Sequence, residues 1–188
     1  MYDVIVIGAG PAGASAALFT AKAGKSTVML DSEQSVTKRA WLDNHYGAPS
    51  ISGPDLVEVG KKQATGFGAE LRVGKAVKLA ASGDGVRVEL EDGTALEGKH
   101  VILATGMFTD LAEASGIQVK PGTEPRIKTI VDADASGRTS MAGVWAAGTC
   151  AGVSMHTIIT AGDGAAKAIN IISELNGERY VDHDMMKA

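Results

Sequence analysis

The stretch DVIVIGAGPAGASAALFTAKAGKSTVMLD, residues 3–31, decides the fold. Residues 4–7 are all β-branched, which predicts a strand that is buried on both faces of a sheet. Three glycines follow at once, and the alanine-rich residues 14–23 predict a helix that Gly24 ends. Residues 27–30 predict a second strand, which is followed by Asp31. A strand, a glycine turn, a helix and a second strand that ends in an acid form the pattern of a dinucleotide-binding unit.

Each of these glycines has its own physical task. Gly8 allows a tight exit from the strand, Gly10 leaves the backbone bare for a diphosphate, and Gly13 lets the helix pack closely on the strand. The diphosphate is expected at the helix N-terminus, where free N–H groups and the helix dipole favour an anion. Asp31 is expected to accept hydrogen bonds from ribose hydroxyls and to disfavour a 2′-phosphate. The motif by itself leaves NAD and FAD open.

Composition narrows the class of protein. The 188 residues are close to the size of one domain, with 45% hydrophobic and 21% charged residues. The net charge of −4 argues against nucleic acid and against an anionic membrane surface as partners. No leader pattern opens the sequence, and no segment approaches the ~20 apolar residues of a membrane helix. We therefore expect a soluble, cytoplasmic protein.

Cysteine usage excludes several kinds of site. Cys150 is the only cysteine, so the sequence holds no internal disulfide, no Cys-x-x-Cys pair and no cysteine-rich zinc site. We expect its thiol to be a small buried group rather than a redox centre. The acidic and histidine residues 182–184 fit a polar tail better than a metal site, because ligands need a rigid surrounding shell. No metal is expected.

Further motifs resemble a known family. The opening stretch reads G-x-G-x-x-G-x3-A-x6-G, which resembles the FAD motif of flavoproteins. VILATG (101–106), TSMAGVWAAGT (139–149), SGPDLVEVGKKQATGFGAEL (52–71) and TIITAGDGAAKAINIISEL (157–175) also follow in the expected order. Together they resemble the FAD domain of thioredoxin reductases, in the pyridine nucleotide-disulfide oxidoreductase family, over nearly the whole chain.

The resemblance implies an α/β fold. We expect one Rossmann-like FAD-binding domain over residues 1–188, with a central parallel sheet and a small antiparallel β-meander at about residues 75–98. Alternating apolar residues and the turns at residues 83–85 and 92–93 support the meander. A helix is expected over about residues 155–175, with a stripe from Ile158 to Ile172 that reads as core rather than interface.

The resemblance also places the cofactor. FAD is expected with its diphosphate at residues 8–13, its adenosine ribose at Asp31 and its ribityl chain near residues 148–149. Backbone groups of residue 76 or 77 are expected near the adenine. The full set of cofactor-binding residues that it implies is Gly8, Gly10, Pro11, Ala12, Gly13, Asp31, Ser32, Lys38, Asn44, Val77, Ala104, Thr105, Gly106, Gly148, Thr149, His156, Thr157 and Ile158.

Two positions in this set are distinctive. Thr149 stands where the family usually has Asp, which removes a negative charge beside an anionic cofactor and weakens the expected binding. His156 falls where the family approaches the flavin pyrimidine. It either donates to the flavin N1–O2 edge or is a helix-terminal residue that faces solvent or a carbonyl. No catalytic residue is assigned.

A departure from the family shapes the expected function. Two-domain thioredoxin reductases carry an NADPH domain with a Cys-x-x-Cys pair after the ATG turn. Residues 107–125 occupy that place here, and they are too few for a strand-helix-strand unit of about 30 residues. The chain thus resembles a stand-alone FAD-dependent oxidoreductase of unknown substrate, and thioredoxin reduction by the family mechanism is expected to be excluded.

Several functional alternatives stay open. The flavin would be reduced by an external donor, which is NADH, NADPH, a small reductant or a partner protein. The leading alternative is a non-catalytic flavin-binding or electron-transfer subunit that acts with a partner reductase, and a third is a relic fold without flavin. A homodimer or a different partner is expected to cover the apolar surface that the absent domain leaves.

Overall fold

The computed structural model describes residues 1–182 and 184–186. The strands are β1 (Tyr2–Ile7), β2 (Thr27–Asp31), β3 (Trp41–Leu42), β4 (Ile51–Ser52), β5 (Glu70–Val73), β6 (Ala76–Ser82), β7 (Gly85–Leu90), β8 (Ala95–Leu103), β9 (Val119–Pro121), β10 (Thr129–Val131) and β11 (Val144–Ala146). The α-helices are α1 (Pro11–Lys22), α2 (Gly53–Gly66), α3 (Asp110–Ala114) and α4 (Thr157–Asn176), and 3-10 helices cover Val36–Arg39 and Gly148–Ala151.

The main sheet has seven strands in the order β5-β2-β1-β8-β7-β6, with β11 paired to the C-terminal half of β8. Strands β5, β2, β1, β8 and β11 are parallel, whereas β6, β7 and β8 are antiparallel. The predicted α/β fold with a central parallel sheet and a meander is therefore confirmed. The meander is not a separate sheet, because β8 begins as its third strand and continues into the parallel part.

The alternation of side chains along β1 builds two cores. Val4 and Val6 pack with alanines of α1 and with Ile171 of α4 on one face. Ile5 and Ile7 pack on the other face against the apolar residues of the meander. Because both faces are covered, the run of β-branched residues forms the fully buried strand that the sequence predicts.

The helix limits differ from the prediction at both ends of the chain. Helix α1 begins at Pro11 rather than at residue 14, because Gly10 is extended and proline fits the first turn of a helix. Helix α4 begins two residues later than predicted and ends before Gly177, which is left-handed. A proline thus sets the start of α1 and a glycine sets the end of α4, whereas α4 begins after His156, whose backbone is extended.

The expected core stripe of α4 is wrong in part. Ile172 is buried, but Ile158 and Ile159 are partly exposed. The face that packs on α1 is built from small residues instead, including Gly164 and Ala168. Two alanine-rich helices approach closely, so the contact selects small side chains over large ones.

Residues 107–125, predicted to stand in place of a larger insertion, contain α3 and β9. Strand β9 pairs antiparallel with β10 in a small second sheet. Thr109, before α3, is hydrogen-bonded to Thr129 of β10 at 2.8 Å. This segment is therefore folded onto the domain. Among the described residues, no helix is both long and apolar enough to cross a membrane.

A buried polar pair joins the neighbouring strands β8 and β11. The indole Nε1 of Trp145 in β11 donates to Nδ1 of His100 in β8 at 3.1 Å. Both residues are buried, and burial lowers the pKa of His100 below its ordinary value. Protonation of Nδ1 would remove the acceptor of a buried indole N–H, so the fold requires neutral His100.

This pair predicts a loss of stability in acid. A histidine whose pKa is lowered in the folded state takes up a proton more readily in the unfolded chain, so stability falls as pH drops below 6.5 through the lowered pKa. Urea unfolding of His100→Gln should therefore show a smaller loss of stability between about pH 7.5 and about pH 5 than the unmodified chain. An equal pH dependence in both proteins would contradict this assignment.

Candidate functional site

The first glycine turn leaves no room for side chains at two positions. Gly8 has φ of 113°, and a Cβ atom there would collide with the carbonyl oxygen of Ala104. A Cβ atom on Gly13 would collide with the carbonyl oxygen of Gly8. The start of α1 is therefore held directly against the end of β1 and against the turn that follows β8.

Gly10 is different, because its missing side chain faces an open side. A Cβ atom there would meet only the hydroxyl of Ser35, at 3.1 Å. Within the described residues, no side chain caps α1 and no acidic residue lies in its first turn. The N–H groups of Ala12 and Gly13 thus remain available at the positive end of the helix dipole. This is a site for an anion that approaches the backbone of Gly10.

Two further segments meet this helix end. A Cβ atom on Gly148, which precedes Thr149, would lie 2.8 Å from Cβ of Ala12. A Cβ atom on Gly164 of α4 would collide with the carbonyl oxygen of Ala12. The structure therefore brings together three glycine-containing segments that are far apart in sequence.

A carboxylate stands behind the late turn, although Thr149 itself carries none. The N–H of Gly148 donates to Oδ2 of Asp163 at 2.8 Å, and Lys167 lies 3.2 Å from Oδ1 of the same group. The side chains of Asp163 and Lys167 are nearly buried. Thr149 itself lacks the usual carboxylate, but Asp163 of α4, which is paired with Lys167, binds the backbone of the preceding residue, Gly148.

Asp31 lies at the end of β2 and is buried. Its Oδ1 accepts from the N–H of Glu33 at 2.7 Å, and its Oδ2 pairs with Nζ of Lys61 at 2.6 Å. Lys61 also reaches Glu58 at 3.0 Å. Burial alone lowers the pKa of Lys61, but its hydrogen bonds to the two carboxylates outweigh burial and raise the pKa. The acid predicted for ribose binding is therefore held by a buried cation.

Other predicted residues lie near the glycine turn at the start of α1 or near Asp31. Ala104 is hydrogen-bonded through its N–H to Ile7, which places residues 104–106 beside the glycine turn. The N–H of Gly74 donates to the carbonyl of Asp31, which brings the start of β6, and with it Val77, near the end of β2, where the ribose is predicted. Ser32 is exposed, and the Lys38 ammonium donates to the carbonyl of Glu33 at 3.3 Å.

The residues expected near the flavin ring are less closely joined. Asn44 is exposed in the loop between β3 and β4. Its neighbour His45 is hydrogen-bonded through Nδ1 to the hydroxyl of Thr157 at 2.9 Å, which ties this loop to the start of α4. His156 is exposed, with Nδ1 at 2.8 Å from the hydroxyl of Ser154. Whether His156 tunes a flavin stays a prediction.

Cys150 is fully buried, and its thiol donates to the carbonyls of Leu103 and Ala147 at 3.2 and 3.3 Å. Burial raises the pKa of this thiol, so it is a protonated, unreactive group at neutral pH. At the C-terminus, Asp182 and Asp184 pair with Lys22, and His183 lies outside the described residues. The described residues contain no acidic, histidine and cysteine cluster arranged for a metal.

The sequence did not predict the roles of Lys61 and Asp163 or the contact between His45 and Thr157. A weak sequence signal could have predicted burial of Lys61, since it follows Val57 by one helical turn and so falls on the buried face of α2. A second weak signal could have predicted the pairing of Asp163, since it is the only acid in the small-residue run AGDGAA and Lys167 follows it by one helical turn. The contact of His45 with Thr157 joins residues 112 apart, and no local pattern predicts it.

These features fit a dinucleotide that lies extended over the start of α1. The bare Gly10 backbone and the uncapped N–H groups suit its diphosphate, and Asp31 suits its ribose. The cavity beside Gly10 and Pro11 is open to solvent and has a volume of only about 120 Å³, below the ~300 Å³ of a typical ligand pocket. The cofactor would therefore follow an open groove rather than fill a closed cavity.

Fold and site together define a Rossmann-like dinucleotide-binding protein, and comparison with known proteins identifies the dinucleotide as FAD. Residues 3–41 match the model of an FAD binding domain. Residues 50–165, more than half of the chain, match the model of the pyridine nucleotide-disulphide oxidoreductases. The chain belongs to this family.

The relatives are thioredoxin reductases. That of Aquifex aeolicus is 40% identical over 112 residues, which are 56% of this chain and 34% of the relative. That of Peptoclostridium acidaminophilum is 33% identical over 138 residues, which are 71% of this chain and 44% of the relative. The matched segments thus cover between about a third and just under half of the length of these relatives.

Solved structures agree on the fold. The thioredoxin reductase of Gloeobacter violaceus has a TM-score of 0.84 at 20% identity, over 98% of this chain and 99% of that one. The atypical thioredoxin reductase TRi of Desulfovibrio vulgaris Hildenborough has a TM-score of 0.82 at 21% identity, over 95% of this chain and 99% of that one. At these identities the likeness concerns the fold alone.

The two kinds of glycine predict opposite results for alanine substitutions. Gly10→Ala should fold, because its methyl meets only a movable hydroxyl, yet it should weaken FAD binding at least about tenfold by blocking the diphosphate. Gly13→Ala should lower the melting temperature sharply, because its methyl meets backbone. Circular dichroism and flavin fluorescence titration measure both effects. Normal FAD affinity in folded Gly10→Ala would contradict the diphosphate position.

Asp163 predicts a separate effect at the late turn. Asp163→Ala should leave the N–H of Gly148 without its acceptor and should weaken FAD binding about tenfold, while Asp163→Asn keeps an acceptor oxygen and should lose less. Titration of each apoprotein with FAD gives the dissociation constants. Asp134→Ala is a matched control, because that carboxylate caps an exposed turn. Equal FAD affinity in Asp163→Ala and the control would contradict a role at the cofactor.

Proposed function

We propose that this FAD-dependent oxidoreductase takes electrons from an external donor and has no disulfide reductase activity of its own. The observation that carries the proposal is the state of Cys150. It is the only cysteine of the sequence, and its thiol is buried and donates to two carbonyls. Electrons on the flavin therefore have no dithiol of this chain to reach.

The segment after the ATG turn supports the external donor. Residues 107–125 form only the five-residue helix α3 and the three-residue strand β9. The glycine turn at the start of α1 is already assigned to FAD. A nicotinamide donor would then have to approach the flavin from solution or from a second protein, with NADH, NADPH and a partner protein as the candidates.

The residues of the chain hold and tune the cofactor. FAD, when bound, accepts and passes on electrons. The N–H groups of Ala12 and Gly13 bind its diphosphate, Asp31 accepts from its ribose, and the turn that Asp163 holds supports its ribityl chain. His156, at the start of α4, is proposed to donate to the pyrimidine edge of the ring, where a positioned donor stabilises negative charge.

Anaerobic spectroscopy tests this function. The protein loaded with FAD should lose its absorbance near ~450 nm when NADH or NADPH is added, and should reduce an artificial acceptor such as ferricyanide. It should leave the disulfide of a small aromatic disulfide substrate intact, and Cys150→Ser should behave in the same way. A flavin that stays oxidised with both nucleotides would contradict a free nicotinamide donor, and steady disulfide reduction by the isolated chain would contradict the second claim.

A second candidate is an electron-transfer subunit that docks on a partner reductase or on a second copy of itself. It is favoured by large exposed aromatic side chains in β3 and in the loop that follows it, where Trp41 is 66% exposed and Tyr46 is 91% exposed. Light scattering and affinity purification distinguish the two. Turnover by a monomer without a partner would contradict this candidate. The cytoplasmic location and the single domain over residues 1–188 stay predictions.

A further inference from the structure

The ion pair at the end of β2 is almost, but not fully, buried. Asp31 is 4% exposed and Lys61 is 8% exposed, and their charged atoms are 2.6 Å apart. Removing two charges from water costs free energy, which their attraction offsets only when the geometry is good and other hydrogen bonds are made. Here the additional bonds come from the N–H of Glu33 and the carboxylate of Glu58.

This pair leaves a defined set of acceptors for a ligand. Each oxygen of an ionised carboxylate can accept two hydrogen bonds. Oδ1 of Asp31 uses one for the N–H of Glu33, and Oδ2 uses one for Lys61. Counting only partners in the part of the chain that the structure describes, one acceptor site on each oxygen remains, which matches the two hydroxyls of an unmodified ribose. Lys61 holds both oxygens in this orientation, because it locks one end of the carboxylate.

The charge of the cluster sets which ribose is tolerated. One ammonium lies between the carboxylates of Asp31 and Glu58, so the cluster as a whole is negative. A 2′-phosphate would bring more negative charge to it, and the ammonium of Lys61 is already paired with two carboxylates. If Asp31 were neutral, the same ammonium would lie beside the ribose without its buried counter-charge, and a phosphate could pair with it.

We propose that Lys61 is a specificity-determining residue of the adenosine ribose site: it positions Asp31 for a free 2′,3′-diol, and its pairing with Asp31 excludes 2′-phosphorylated nucleotides. The inference rests on the FAD site described above and deepens the proposed function. A flavin site that rejects the 2′-phosphate keeps NADPH, one of the candidate donors, from occupying the place of FAD.

Binding of two matched nucleotides tests the proposal. The apoprotein is titrated calorimetrically with ADP-ribose and with 2′-phospho-ADP-ribose, and the ratio of the two dissociation constants is the readout. The unmodified chain should prefer ADP-ribose. Asp31→Asn should shift this ratio at least about tenfold toward the 2′-phosphate, and the double variant Asp31→Asn, Lys61→Met should lose that shift, because the cation is gone. Lys61→Met alone should weaken ADP-ribose without gaining the phosphate.

Controls separate specificity from stability. Lys62→Met removes an exposed lysine from the same helix and should leave both affinities unchanged. Lys61→Met leaves Asp31 buried without a cation, which lowers stability. The double variant carries neither charge of the pair and keeps the test valid if the single variant unfolds. Lys61→Arg should restore the preference for ADP-ribose.

Three results decide the matter. A 2′-phosphate affinity that is equal in Asp31→Asn and in the double variant would overturn the proposal, because Lys61 would then not be the phosphate partner. Unchanged ADP-ribose binding in folded Lys61→Met would also overturn it, while FAD binding itself could stand. Absence of FAD binding in the unmodified chain would instead overturn the cofactor site together with this inference.

Discussion

The close contact between the first turn of α1 and the glycine turn after β1 is the constraint on which the site depends. Gly13 lies so near the carbonyl of Gly8 that a single added carbon would separate helix from strand. The carbonyl of Ala104 limits Gly8 in the same way from the neighbouring strand. This packing fixes the direction of the helix and leaves its N–H groups facing outward beside the bare backbone of Gly10. An anion site therefore results from how the elements pack, without any charged side chain at its centre.

Two ion pairs flank this anion site, which has no charged side chain at its centre. Lys61 holds Asp31 at the end of β2, where the ribose is predicted, and Lys167 holds Asp163 behind the turn at Gly148. In both pairs the carboxylate also accepts a backbone N–H, so that each fixes a turn as well as a charge. The site thus combines a positive helix end with two acids that are each paired to a lysine. That arrangement lets carboxylates order an anionic cofactor without strong repulsion.

The fold could be predicted from the sequence because the signals that determine it are local. The β-branched run, the glycine spacing and the acid at position 31 lie within one stretch, and the resemblance supplied the order of the later motifs. The start of α1 was misplaced because Pro11 sets it, and the start of α4 was misplaced because the backbone of His156 is extended, which the apolar pattern does not reveal. The partners of Asp31 and Gly148 were missed because they come from distant helices. Ile158 was predicted to be core but is exposed, because the face of α4 that packs closely on α1 favours residues smaller than isoleucine.

The most direct test of the account is a crystal structure of the chain grown with FAD. The account predicts one FAD per chain, with its diphosphate within hydrogen-bond distance of the N–H groups of Ala12 and Gly13 and its adenosine ribose on Asp31. Lys61 should remain paired to that carboxylate. A diphosphate bound elsewhere, or a ribose that contacts neither oxygen of Asp31, would contradict it.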